Sequence, residues 1–270
     1  MNAFDIFLTI DISCCFLIIF SMYYSSKRVR HLDWIKGYFA HRGLYNREKA
    51  IPENSMVAFQ NAIDHHYGIE LDIQLSSDEC MYVFHDDDTQ RMTSFSGILE
   101  ALDSKTLDGL KLKSTEESIP HFSEVLKLVS GRVPLLIELK TTKRRALAVK
   151  NVLDLIKDYQ GNFAFCSFDP LILLELKKQA PQYLRGLNME YCIDNEKYSL
   201  FTRVILHNAF LNFLIKPDYL SVDYNFKSTT YYFTRSLFKG FGMMWALPSQ
   251  EKENKIRSQC ETVIFEDYLP

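Results

Sequence analysis

Glu70, Asp72 and Glu138 are the residues of this chain whose types and spacing could do chemistry. Residues 68–86 read GIELDIQLSSDECMYVFHD, in which Glu70, Asp72 and Gln74 alternate with Ile69, Leu71, Ile73 and Leu75. Residues 134–140 read PLLIELK, in which Glu138 and Lys140 alternate with Leu135, Ile137 and Leu139. A period of two marks strands and gathers each charged set on one face. Ionised carboxylates on inward faces are costly unless a cation neutralises them. Oxygen-only donors suit Mg²⁺ or Ca²⁺ over zinc. An exposed edge strand would also give the first pattern, but the second stretch repeats it. Arg42 and Lys140 are candidates for holding phosphate oxygens.

His41 and His85 each end a strand-like segment, in YFAHRG and VFHD. Imidazole titrates near neutral pH, so one histidine can act as base and the other as acid in displacement at phosphorus. The sequence does not say which takes which part; His41 as base and His85 as acid is the working choice.

Strands and helices must bring these residues together. The expected strands are 38–40, 69–75, 81–85, 135–139, 163–167, 183–188, 219–222, 242–246 and 263–266. Helical patterns lie between most of them: 55–66 behind an Asn54 N-cap, 123–130, 143–159, 170–179, 198–214, 228–238 and 250–260. Repeated βα units imply a parallel sheet. About eight units point to a (β/α)8 TIM barrel, with a doubly wound open sheet as the alternative. The link between 75 and 81 is too short for a parallel crossover, so 69–75 and 81–85 should form a hairpin. A turn centred on Ser77–Asp78 would set Glu70 opposite His85 and Asp72 opposite Val83. Residues 87–121 read as an insertion at the barrel mouth, with a short helix over 98–102.

The chain of 270 residues is 47% hydrophobic, which supplies a sizeable core. Its net charge of −3, with both signs interspersed, excludes the basic footprint of a nucleic-acid binder. Its six cysteines form no CxxC pair and read as reduced thiols. Residues 1–30 differ in character. Residues 4–24 approach the length of a membrane-spanning helix, although Asp5 and Asp11 interrupt them. Lys27, Arg28 and Arg30 follow, which places the rest of the chain on the cytoplasmic side. A buried or amphipathic helix is the alternative. The expected division is therefore a single-pass anchor with its basic flank over 1–30 and a barrel over 37–270.

These residues also fall in an order that resembles the glycerophosphodiester phosphodiesterase family. The resemblance rests on His41-Arg42-Gly43, Pro52-Glu53-Asn54-Ser55, Glu70-Leu71-Asp72-Ile73 and His85-Asp86 followed by Arg91 and Thr93. It continues through Ile119-Pro120, Ile137-Glu138-Leu139-Lys140, Ser167-Phe168-Asp169 and Phe265-Glu266-Asp267-Tyr268. It implies a TIM barrel and a divalent cation on Glu70, Asp72 and Glu138. It also implies His41 and His85 as acid and base, and Lys140 with Arg42 at the phosphate. Asn54 would support the site by hydrogen bonding. The family's late Trp-Thr-Val-Asn motif stands here as Trp245-Ala246-Leu247-Pro248; Trp245 keeps the substrate-pocket position and the asparagine is replaced.

The expected activity is metal-dependent hydrolysis of glycerophosphodiesters to glycerol 3-phosphate and an alcohol. A lysophospholipase D acting on membrane lysolipids is one alternative, with Phe95, Ile98, Leu99 and Leu102 as acyl-chain contacts. A catalytically silent barrel that binds phospholipid headgroups is the other.

Overall fold

Strands form where β-branched, aromatic and leucine residues alternate with small or polar ones. They are β1 Gly37–Ala40, β2 Gly68–Leu75, β3 Met81–Val83, β4 Leu135–Leu139, β5 Phe163–Ser167, β6 Arg185–Met189, β7 Tyr219–Asp223, β8 Phe241–Leu247 and β9 Thr262–Phe265. The computed structural model describes residues 32–113, 115–191 and 211–270, with residues 199 and 209. Its helices include α1 Met56–Asp64, α2 Ser104–Asp108, α3 Phe122–Val129, α4 Arg145–Ile156, α5 Pro170–Gln179, α6 Asn212–Ile215, α7 Thr229–Phe238 and α8 Gln250–Ile256.

The order β1-β9-β8-β7-β6-β5-β4-β2 is parallel throughout. β1 also pairs with β2, through Phe39–Gly68 and Ala40–Ile69. That pairing closes eight strands into a barrel and removes the open-sheet alternative. β3 stands outside the ring as an antiparallel partner of β2.

Strand alternation sorts two cores. Ile69, Leu71 and Ile73 of β2 and Leu135, Ile137 and Leu139 of β4 face outward into the layer packed by the helices. Phe39, Leu136, Ala164, Cys166, Tyr219, Met243 and Ile264 fill the lumen. Gly186 makes room for Tyr219, because a Cβ there would meet its ring at 1.9 Å. The Tyr219 hydroxyl then donates to the Phe165 carbonyl at 2.9 Å. The lumen is therefore a packed floor, and polar residues one turn of the alternation higher stand above it.

Three expectations are corrected. First, the β2–β3 register is one residue off the expected one: Val83 pairs with Ile73, not Asp72. The turn has a three-residue loop, closed by Ser76 N–H to Cys80 O at 2.9 Å, with Glu79 at φ 72°. A strict ladder would now turn His85 away from Glu70. However, β3 ends at Val83. The Gln74 amide donates to the carbonyls of Phe84 (3.0 Å) and Asp86 (2.8 Å), and so fixes the chain as it leaves the ladder. Second, Ser55 caps α1, accepting from Ala58 N–H at 3.2 Å, and Asn54 is engaged elsewhere. Third, the insertion holds more than the short helix expected over 98–102: besides the 3₁₀ turn at Leu99–Ala101 found there, α2 helps cover a small core of Tyr82, Phe84, Leu99, Leu107, Leu112 and Ile119.

The expected membrane anchor at 4–24, its basic flank and most of the helix expected over 198–214 lie outside the described residues. Among the described residues, no helix is long and apolar enough to cross a membrane.

Candidate active site

β2 and β4 lie side by side with Asp72 opposite Glu138 and Glu70 opposite Leu136. The hydrophobic alternation that buries Leu71 and Ile137 outward turns all three carboxylates inward. One ligand atom from each lies within 4.8 Å of the others. All three residues are buried, with Asp72 only 1% exposed. The donor set is entirely hard oxygen, which fits Mg²⁺ or Ca²⁺.

The carboxylates are held from several sides. Asn54 Nδ2 donates to Asp72 Oδ2 at 2.9 Å, and Asn188 Nδ2 donates to Glu138 Oε2 at 2.9 Å. Lys140 Nζ lies 2.7 Å from Glu138 Oε1 and 3.0 Å from Asp72 Oδ1. Two of its three donors are used, and one is left for a ligand. Burial works against an ionised Asp72, but Lys140, His85 and Arg42 hold its carboxyl far below the usual range. Burial, followed by the charges of Asp72 and Glu138, pushes Glu70 well above it. Glu70 is thus the carboxyl of the three hardest to ionise without a positive charge beside it.

The His41-Arg42-Gly43 turn wraps one side of this cluster. Arg42 has φ 56° and Gly43 φ 80°, and a Cβ on Gly43 would meet Phe59 and Ala58 at 2.9–3.0 Å. This tight turn aims the Arg42 N–H at Glu70 Oε2, 3.0 Å away. The Arg42 guanidinium donates to Glu53 at 2.7 Å, and its Nε lies 3.6 Å from Asp72. Both cations expected at the phosphate therefore already lean on carboxylates.

Each histidine has a carboxylate behind it. His41 Nδ1 donates to Glu266 Oε2 at 2.7 Å, and the Tyr45 hydroxyl donates to the same oxygen at 3.1 Å. His85 Nδ1 donates to Asp86 Oδ1 at 2.7 Å. Because a carboxylate only accepts, Nδ1 carries the proton and Nε2 is the nitrogen left for proton transfer. Burial lowers the pKa of His85; Asp72 opposes this shift, while Lys140 and Arg42 add to it. Arg91 binds both Asp86 and Glu53, with Nη2 2.6 Å from Glu53 Oε1. A chain of ion pairs thus runs from His85 through Asp86, Arg91 and Glu53 to Arg42.

Trp245 stands on the inner face of β8, edge-on to Phe168 at 5.5 Å. Gln74, Asn188 and Glu266 also shape the site, although the sequence offered no role for them. Strand parity was the available signal for Gln74 and Asn188. Glu266 lies 225 positions from His41, and only barrel closure joins the two.

The whole arrangement can be set against known proteins. Residues 41–234 match the model of the glycerophosphoryl diester phosphodiesterase family. The chain belongs to the glycerophosphoryl diester phosphodiesterase family.

A glycerophosphodiester phosphodiesterase of Caldanaerobacter subterraneus is 33% identical over 159 residues, covering 55% of this chain and 64% of that protein. One from Bacillus altitudinis is 35% identical over 112 residues and is covered to 43%. The chain thus spans less than two thirds of the length of these relatives. In fold, it resembles the Thermotoga maritima glycerophosphodiester phosphodiesterase, with TM-score 0.64 and 25% identity, covering 88% and 96% of the two chains. It also resembles an Oleispira antarctica phosphodiesterase in complex with sn-glycerol-3-phosphate, with TM-score 0.71 and 20% identity, covering 86% and 94%. At that identity the likeness is one of fold.

Proposed function

We propose that this member of the family hydrolyses glycerophosphodiesters to glycerol 3-phosphate and an alcohol. The observation that carries the reading is the inward triad of Glu70, Asp72 and Glu138, flanked by two histidines that are each backed by a carboxylate. Glu70, Asp72 and Glu138 would hold a divalent cation, Mg²⁺ or Ca²⁺. Bound there, it supplies positive charge to the non-bridging phosphate oxygens, where charge grows in the transition state. The third donor of Lys140 and the spare N–H groups of Arg42 add to that field. One imidazole takes the proton of the substrate's neighbouring glycerol hydroxyl, which attacks phosphorus and gives a cyclic phosphate. The other protonates the leaving alcohol, and water then opens the ring.

Burial shifts the His85 imidazole toward its neutral form, against the pull of Asp72. That suits His85 to take up a proton in the reaction, and each histidine, backed by its carboxylate, has Nε2 available for transfer. His41→Ala and His85→Ala should each lower kcat by roughly 10²–10⁴-fold with Tm near wild type. Unchanged turnover in either variant would remove that histidine from the mechanism.

The lysophospholipase D alternative gains Phe95 (41% exposed) and Ile98 (52% exposed) as acyl-chain contacts, but Leu99 is committed to the insertion's own core. A silent headgroup-binding barrel has no need of two backed histidines. Membrane anchoring through residues 4–24, with the barrel on the cytoplasmic side, is proposed on the sequence alone. Carboxy-terminal reporter fusions test that orientation.

A further inference from the structure

The barrel has two ends, and the proposed chemistry uses one. Each helix of such a barrel runs back from the carboxyl ends of the strands toward their amino ends. α6 closes at Ile215 shortly before β7 opens at Tyr219, and α7 closes at Phe238 shortly before β8 opens at Phe241. The last turns of both helices therefore lie at the floor end, opposite the carboxylates. The chain enters the barrel at that end too. The Ile35 carbonyl accepts from Thr262 Oγ1 at 2.5 Å, and the Gly37 N–H donates to the Glu261 carbonyl at 3.3 Å, both at the foot of β9. Leu32 and Trp34 pack against the lumen there.

A surface helix ordinarily turns charge outward, as α8 does with Glu251, Lys252 and Lys255. The outer face of α7 differs. Among its described side chains, the exposed ones are Thr229, Phe233, Ser236 and Leu237, which fall on one stripe and carry no charge. Phe233 is 49% exposed and Leu237 is 66% exposed. Leu214, 41% exposed, adds a third large apolar side chain from α6. Basic residues rim them. Lys216 and Lys239 end α6 and α7 in the left-handed conformation, and the Lys177 ammonium of α5 donates to the Leu214 carbonyl. Residues 211–217 and 224–240 contain Lys216, Lys227, Arg235 and Lys239 and no acidic residue. Apolar side chains rimmed by lysine suit an anionic lipid surface, where leucine and phenylalanine enter the acyl boundary and ammonium groups meet phosphate. Residues 1–31, with the apolar run at 4–24, join the described chain at this same end. A bilayer reached by that run would lie against α6 and α7, not against the mouth.

We propose that the floor end of the barrel docks on an anionic lipid bilayer through Leu214, Phe233 and Leu237, with Lys216 and Lys239 at the phosphates. The catalytic mouth then opens to the aqueous side. None of these residues belongs to the candidate active site, so the docking surface stands or falls apart from the diesterase reading.

The test is hydroxyl-radical footprinting of the purified full chain before and after addition of phosphatidylglycerol vesicles, with phosphatidylcholine vesicles as the uncharged comparison. Phosphatidylglycerol should lower oxidation of Leu214, Phe233 and Leu237 severalfold and leave Phe95 and Ile98, exposed on the insertion, unchanged. Leu214→Glu/Leu237→Glu should abolish the protection of Phe233, with Tm and diester turnover at wild-type values. Lys216→Asn/Lys239→Asn, which keeps a residue type that tolerates the left-handed caps, should reduce protection on phosphatidylglycerol to the level on phosphatidylcholine. Oxidation unchanged by phosphatidylglycerol, or protection of Phe95 and Ile98 in place of α6 and α7, would overturn the proposal. So would protection already present before vesicles are added: if independent of protein concentration it assigns the face to residues 4–24, and if it rises with concentration it assigns the face to a second copy of the chain.

Discussion

Glu70 is where burial and like charge meet most directly. Its carboxyl is raised by desolvation, then by Asp72 and Glu138, against the N–H and charge of Arg42. In the folded chain it therefore keeps a proton above its ordinary value of 4.5. The stability it contributes is complete below that value and is lost as pH rises through the elevated one. Asp72 has the opposite sign, because its contribution is present above 3.8 and is lost as pH falls toward its depressed value. In chelator, the wild-type Tm should fall between pH 4.5 and neutrality relative to Glu70→Gln, which lacks the titrating group. Adding Mg²⁺ or Ca²⁺ should flatten the wild-type slope alone. Parallel Tm profiles for the two proteins would show that Glu70 is not under this strain. The identities of Glu70, Asp72 and Glu138 were legible because alternation marks an inward carboxylate without any knowledge of its partners. The partners Glu266 and Glu53 were not, since the contacts Glu266–His41 and Glu53–Arg91 depend on chain closure and on a loop without periodicity.

The hairpin and insertion show how far local pattern reaches at the scale of elements. Each of the nine strands among the described residues overlaps a run expected from period-two or apolar pattern, although β3 stops two residues short and β6 is offset by up to two, because each needs only its own side chains to define two faces. The β2–β3 register slipped because it depends on turn chemistry. Glu79 takes the left-handed conformation and adds one residue to the loop. The site survives because β3 stops early and Gln74 anchors the carbonyls on either side of His85. The insertion hid its structure because its core is assembled from single residues of short turns, not from one amphipathic helix. Leu107 is fully buried there, against Tyr82 and Phe84. Leu107→Ala should cost roughly 2–5 kcal/mol of local stability. Limited proteolysis should then cut within residues 87–121 well before the barrel. Cleavage no faster than in wild type would mean that this small core does not hold the insertion.

At the scale of the whole molecule, closure of the barrel does what no single segment can. Parallel pairing of β1 with both β9 and β2 brings His41 and Glu266 together and turns β2 and β4 edge to edge. The apolar floor of Phe39, Leu136 and Tyr219 forces polar residues to the mouth, where they meet. Eight βα units made this architecture legible from spacing, whereas residues 1–31 lie outside the described residues.

The most direct test of the central claim is release of glycerol 3-phosphate from a glycerophosphodiester by the purified full chain, followed by ³¹P NMR with and without chelator. Turnover should appear with Mg²⁺ or Ca²⁺, fall by orders of magnitude in EDTA and return when the cation is restored. Turnover indifferent to EDTA, or none from the folded protein with either cation, would contradict a cation site built on Glu70, Asp72 and Glu138.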